Sequence, residues 1–221
     1  MAFPRIFMIG NGPSLDPKDL DLIKGEYSFG INRIGMIFDR TDWRPSYYLC
    51  ASLITTLDKD YLKDVFRVID LGIPCFIGER IRHVIGERDN ITYIKCLHIH
   101  DDPEGDWWED ISNLEVSIFG QSLFGAVRIA TWLGFNHIYL LGVDGGYKNS
   151  GDEDENHFDP GYETKELRKK IGRISAKQFN RIHASHEMLY RNAKKYGFDI
   201  YSVSRRTAFD VYPKKKLEDV L

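Results

Sequence analysis

The run Arg5-Ile6-Phe7-Met8-Ile9 ends abruptly in Gly10-Asn11-Gly12-Pro13-Ser14-Leu15, and this junction limits the folds open to the chain. Four consecutive apolar residues leave no polar face. A strand made of them must be covered on both sides, as in a parallel sheet flanked by helices. A glycine-bracketed turn directly after such a strand opens a β–α connection and lets backbone come close to a ligand. In open α/β sheets, nucleotides sit at that end of the strands. The loop is not a Walker sequence, since Gly-Lys-Ser/Thr is absent, and Leu15 stands where the dinucleotide fingerprint needs a third glycine. Two readings stay open: a nucleotide or phosphate loop built on Gly10, Asn11, Gly12 and Ser14, or an ordinary tight turn.

The rest of the chain alternates strand and helix signals. A short helix over Asp16–Ile23 is capped by Ser14 or Asp16 and broken by Gly25. Strands follow at Tyr27–Asn32 and Ser46–Ala51, then an amphipathic helix over Leu57–Val68 with Leu57, Tyr61, Val65 and Val68 on one stripe. Ile73–Ile77 and Ile91–Cys96 read as further strands. A helix opens at Gly120-Gln121-Ser122, with Ser122 as N-cap and Leu123, Val127, Ala130 and Leu133 facing inward, and its start is an anion site. His137–Gly142 is a buried strand. A long helix over Glu163–Tyr196, broken near Gly172, ends at Gly197 before a last strand, Asp199–Val203. Strands joined by helical crossovers predict a single α/β domain over 1–221, Rossmann-like, with a mainly parallel sheet and helices on both faces. Residues 97–119 read as an insertion and 148–175 as a lid.

Composition narrows function. A formal charge of −3 spreads no field that would favour nucleic acid. Cys50, Cys75 and Cys96 are widely spaced in or beside apolar runs, as reduced core thiols of a cytoplasmic protein are. No apolar run approaches the ~20 residues that a bilayer requires, and there is no signal-peptide pattern. The tail, with Lys214-Lys215-Lys216, lies on the domain or makes a peripheral contact with an anionic membrane surface. Lys165, Arg168, Lys169, Lys170, Arg173, Lys177 and Arg181 form either a solvated helix face or a clamp for an anionic ligand.

Several side chains can carry chemistry. Asp144 follows a buried strand and precedes Gly145-Gly146, the position where α/β enzymes place reactive groups. His98, His100, Asp101 and Asp102 could hold a metal or mark a polar strand exit. Trp107 and Trp108 pack, or stack on a sugar or base. His157, in the polar lid, can accept a proton near neutral pH or anchor the lid through a hydrogen bond.

Four features in order then carry a resemblance: Gly10-Asn-Gly-Pro-Ser-Leu15, Asn32 after strand two, Ser122 through Asp144, and Asp199-Ile-Tyr-Ser-Val-Ser204. The chain resembles the bacterial sialyltransferases that use CMP-sialic acid. It also resembles the related domain of unknown function shared by motility accessory glycosyltransferases and archaeal hydroxymethylpterin pyrophosphokinases. The likeness spans nearly the whole chain. It implies that Asn11 and Asn32 contact the phosphate and sugar of a nucleotide, with Gln121 and Ser122 near the cytidine or phosphate. It further implies that the Tyr147 and Tyr162 hydroxyls stabilise the departing phosphate and that His157 lies near the catalytic base. The sialyltransferases have Thr-Ser-Gly where this chain has Gln121-Ser122-Leu123. The activity implied is transfer of an acidic sugar from a CMP-linked donor to a glycan or glycolipid acceptor, with no cofactor and no metal. Two alternatives remain: a magnesium-dependent pyrophosphokinase acting on a pterin-like alcohol, in which Asp144 would hold the metal, and a non-catalytic nucleotide-binding module. Oligomeric state is not legible.

Overall fold

The computed structural model describes residues 4–52, 56, 58–97, 111–118, 121–148, 154–171 and 176–221. Eight strands form one sheet: β1 (Arg5–Ile9), β2 (Ser28–Ile31), β3 (Tyr47–Cys50), β4 (Cys75–Gly78), β5 (Ile91–Leu97), β6 (Glu115–Ser117), β7 (His137–Leu141) and β8 (Asp199–Ser202). Their order is β6-β5-β4-β3-β2-β1-β7-β8, and every neighbouring pair is parallel. Around the sheet lie α1 (Pro17–Leu22), α2 (Lys59–Ile69), α3 (Arg82–Ile85), α4 (Ser122–Trp132), α5 (Lys165–Ile171) and α6 (Ala176–Tyr196).

The alternation of side chains along a strand explains the layers. Ile6 and Met8 of β1 join Phe124, Val127, Met188 and Leu189 of α4 and α6 in one core. Phe7 and Ile9 point the other way, into a core with Leu20, Ile34, Ile37, Val65 and Val68. All four apolar residues of β1 are fully buried, which is why the run has no polar face. The Rossmann-like α/β expectation is therefore met, with helices on both faces. Strand order reverses at β1: β2 to β6 extend to one side, β7 and β8 to the other. That reversal leaves a crevice beyond the carboxyl ends of β1 and β7.

Differences from the sequence reading have local causes. Of the two cap candidates for α1 the structure has Asp16, its carboxylate accepting from Lys18 N at 2.9 Å. Ser122 is the first helical residue of α4 rather than its cap. Gln121 occupies the cap position and makes no side-chain cap bond. Leu133, expected inside, is 38% exposed because α4 ends at Trp132. The 97–119 insertion contributes an edge strand, since Lys95–Leu97 pairs with Glu115–Ser117. His98, His100, Asp101, Asp102, Trp107, Trp108, Leu57 and Gly172 lie outside the described residues.

The three cysteines are free thiols; burial pushes Cys75 up to about 12 and Cys50 and Cys96 to about 11, so all three stay neutral. The tail lies on the domain. Lys215 N donates to Ser202 O at 2.9 Å, Lys214 pairs with Asp210, and Tyr212, Leu217 and Val220 are buried. Among the described residues, no helix is long and apolar enough to cross a membrane.

Candidate functional site

The crevice at the strand reversal opens into a cleft of about 720 Å³. Its walls come from the loop after β1, the end of β2, the start of α4, the loop after β7, the segment around His157, and residues 206–209 after β8. Ten of the eleven residues proposed from sequence line it: Gly10, Asn11, Gly12, Asn32, Gln121, Ser122, Asp144, Tyr147, His157 and Tyr162. Ser14 stands behind them.

At the floor, the loops after β1 and β7 are pressed together. Gly10 N donates to Leu141 O and Gly12 N to Gly142 O, each at 2.8 Å. A Cβ on Gly12 would stand 2.7 Å from both the Asp144 carboxyl carbon and the Gly142 oxygen. These glycines are required by the close approach of two backbones, and their amides are already engaged by neighbouring chain. Asp144 is 6% exposed and accepts from Ser14 N at 2.7 Å through Oδ2 and from the Ser14 hydroxyl through Oδ1. Burial raises its carboxyl above the usual value, against the pull of those two bonds and of Arg206, whose Nε lies 3.8 Å away. Asp144 and Ser14 thus tie the β7 loop to the β1 loop.

The next layer holds the two asparagines. Asn11 Nδ2 donates to Ile31 O at 3.1 Å, and since a carbonyl can only accept, this fixes the amide's orientation. Asn11 Oδ1 is buried with no hydrogen-bond partner among the described residues, in a side chain that belongs to the cleft lining. Asn32 adopts φ 50, the left-handed region that asparagine tolerates better than most residues. That turn is held by Asn32 N donating to Leu49 O at 2.9 Å and by the Tyr48 hydroxyl donating to Asn32 O. Asn32 Oδ1 accepts from Ser122 Oγ at 2.9 Å, which leaves the Asn32 amide hydrogens as donors. The start of α4, where Gln121 makes no side-chain cap bond, opens beside this pair.

Across the cleft stands His157. Its Nδ1 lies 2.7 Å from Asp154 Oδ2, and its ring stacks on Tyr162 with centroids 3.9 Å apart and planes within 7°. Burial pushes the Asp154 carboxyl up, but the His157 bond and charge, with bonds from the Asn156 and Glu163 amides, outweigh it and hold the group below its usual value. Asp154 was not singled out from sequence; the signal is its i,i+3 spacing from His157. The Tyr162 hydroxyl, expected to face a phosphate, is buried and accepts from Arg33 N at 3.3 Å. Tyr162 still belongs to the cleft lining, with one ring face covered by His157. Tyr147 lines the cleft, and burial raises its ionisation above the usual value.

The segment expected to be a lid is docked where it is described. Arg33, 4% exposed, pairs with Asp64 at 2.6 Å and donates to Gly161 O at 3.1 Å and to Tyr162 O. Phe158 N donates to Asn11 O at 3.0 Å, and Arg40 pairs with Asp159 at 3.1 Å. None of Lys165, Arg168, Lys169, Lys170 and Arg181 lines the cleft, and Lys165, Lys169 and Lys170 are exposed, as on a solvated face. Arg173 and Lys177 lie outside the described side chains.

Asp154, His157 and Glu163 offer ligand atoms within 4.8 Å of one another and could hold a divalent cation. An ion bound there would compete with the Asp154 bonds to His157 and to the Glu163 amide. Asp144 does not belong to that group.

Neither a protein-family model nor a curated protein sequence matches the chain. Solved structures do match in fold. A MAf glycosyltransferase from Magnetospirillum magneticum AMB-1 superposes with a TM-score of 0.58 at 13% identity, over 99% of this chain and 35% of that one. This chain therefore spans about a third of that protein's length. The sialyltransferase Cst-II, known from Campylobacter jejuni, superposes in a complex with CMP with a TM-score of 0.56 at 14% identity, covering 95% and 85% of the two chains. A complex of Cst-II with a trisaccharide acceptor and CMP gives 0.53 at 14% identity, covering 95% and 84%. The chain thus shares the α/β fold of these glycosyltransferases.

Proposed function

We propose that the protein transfers a sugar from a nucleotide-activated donor, a CMP-linked acidic sugar, to a glycan or glycolipid hydroxyl. One observation carries this reading: an imidazole whose Nδ1 is held by a buried carboxylate lines the same cleft as a corner of hydrogen-bond donors. Glycosyl transfer needs both. A base must take the proton of the acceptor hydroxyl, and donors must stabilise the nucleotide phosphate as it leaves. With Asp154 accepting the Nδ1 proton, His157 keeps Nε2 as the bare nitrogen that receives the acceptor's proton. Asp154 also steadies the imidazolium that forms.

The phosphate falls to the start of α4, where the first amides of the helix, the Asn32 amide and the Gln121 side chain lie together. Asn11 Oδ1, an acceptor, is matched to a hydroxyl of the ribose or sugar rather than to phosphate oxygens. Tyr147 supplies a further donor. The shared fold with Cst-II, solved with CMP, and with the MAf glycosyltransferase supports the choice of reaction class.

A thermal-shift screen with CMP, CDP, ATP and GDP, each with and without magnesium, tests the reading. Stabilisation by CMP without metal is expected. Magnesium-dependent stabilisation by ATP would instead favour a pyrophosphokinase, and no response to any nucleotide would favour a non-catalytic module.

A further inference from the structure

Behind the α4 corner lies a histidine that the proposed chemistry does not use. His186, on α6, is fully buried and stacks on Phe209 with centroids 3.6 Å apart and planes within 19°. A chain of hydrogen bonds runs from it to the cleft, and each donor can be assigned in turn. Ile182 O can only accept, so the Ser185 hydroxyl donates to it at 2.7 Å. With its one hydrogen engaged, Ser185 Oγ accepts from Gln121 Nε2 at 3.1 Å. Gln121 Oε1 is thereby turned toward His186 Nε2, 3.3 Å away, and that nitrogen must carry the proton. His186 Nδ1 is then bare and accepts from the Tyr212 hydroxyl at 2.7 Å, while the 3.4 Å contact from Tyr212 to the His186 carbonyl is the weaker of its two options.

The consequence falls on Gln121. A free glutamine amide can present either its oxygen or its nitrogen to a ligand. This one is held with the oxygen on His186 and one N–H on Ser185, which leaves its second N–H for the cleft that it lines. We propose that His186 is a positioning residue that locks Gln121 as a hydrogen-bond donor to the anionic phosphate of the bound nucleotide, so that the α4 corner presents donors. The inference rests on the nucleotide reading above and adds a residue one layer behind it. Burial, with the neighbouring His183, holds the His186 imidazole down at about 3, so it is neutral near pH 7. A neutral ring with a single proton is what gives the lock its direction. Tyr212 and Phe209 belong to the segment after β8, so that segment shapes the cleft through His186 as well as by lining it.

The test compares CMP with cytidine, which differ by the phosphate. Gln121→Glu replaces the donor with a negative acceptor, while His186 can still donate to it; CMP affinity should fall roughly tenfold or more and cytidine affinity stay near the parent's. His186→Phe keeps the stack on Phe209 and the edge contact with Phe124 but removes the lock; the ratio of CMP to cytidine affinity should drop several-fold. Nitrogen NMR of the unmodified protein should find His186 as the Nε2–H tautomer, a readout that needs no variant to fold. A Nδ1–H tautomer, or a His186→Phe protein with the parental CMP-to-cytidine ratio, would overturn the lock. If the unmodified protein binds no CMP, the nucleotide reading itself fails, and the tautomer still decides whether Gln121 is held as argued.

Discussion

Asn11 shows how a single side chain can be pinned at one end and left open at the other. Its Nδ2 bond to Ile31 O is structural, and its buried Oδ1 has no partner among the described residues. Asn11→Ala removes both. Losing one ordinary hydrogen bond should lower stability by about 1 kcal/mol, and losing the cleft acceptor should weaken nucleotide binding about fivefold. Calorimetric titration and thermal melts read the two effects separately; unchanged affinity with a lower melting temperature would reduce Asn11 to a turn residue. Asp154 gives a prediction in pH. Its folded value lies below its unfolded value of 3.8, so the stability it contributes is complete above that unfolded value and is lost as the pH falls through the folded one. The stability difference between the parent and Asp154→Asn should therefore be constant from pH 7 down to about 4 and shrink at lower pH. A difference that grew on acidification would contradict the assigned direction.

Elements were legible in the sequence where one rule decides them, and less so where distant partners do. β1 and β7 were plain, because continuous apolar runs have no alternative to burial on both faces. β6 was not, since Glu115-Val116-Ser117 holds one apolar residue and becomes a strand only by pairing with β5. The cleft residues were found because turn chemistry after strands marks them. Local pattern does not carry the partners that distant chain supplies: the Tyr162 hydroxyl accepts from Arg33 N, and the Gly10 and Gly12 amides donate to the β7 end. Docking of the His157 segment could not be read locally, because Arg33 reaches across 129 residues of sequence to hold it. Removing one partner of such a buried pair leaves an uncompensated charge. Asp64→Ala should cost about 3–5 kcal/mol, seen as a large drop in the urea midpoint. A drop under 1 kcal/mol would mean that Arg33 finds water or another acceptor. Gly12→Ala tests the other junction: with Asp144 and Gly142 2.7 Å from the added carbon, the β1 and β7 loops must part, at about 1–3 kcal/mol. A melting temperature equal to the parent's would show that the loops can separate freely.

At the scale of the whole molecule, the fold gathers the cleft elements beyond the carboxyl ends of the strands through a single feature, the reversal of strand order at β1. The strands deliver Gly10 through Pro13, Asn32 and Asp144 to that end of the sheet, α4 brings its amino end, and the segments around His157 and Phe209 close the sides. The account holds that this cleft binds a nucleotide, with its phosphate at the start of α4 and His157 facing it. Amide NMR during a titration with CMP measures that most directly. The expected result is saturable shifts concentrated at residues 10–14, 31–32, 121–123, 142–148 and 155–157, with the largest at the amides of Ser122 and Leu123. No saturable shift, or shifts confined to a surface away from the β1/β7 crevice, would contradict it.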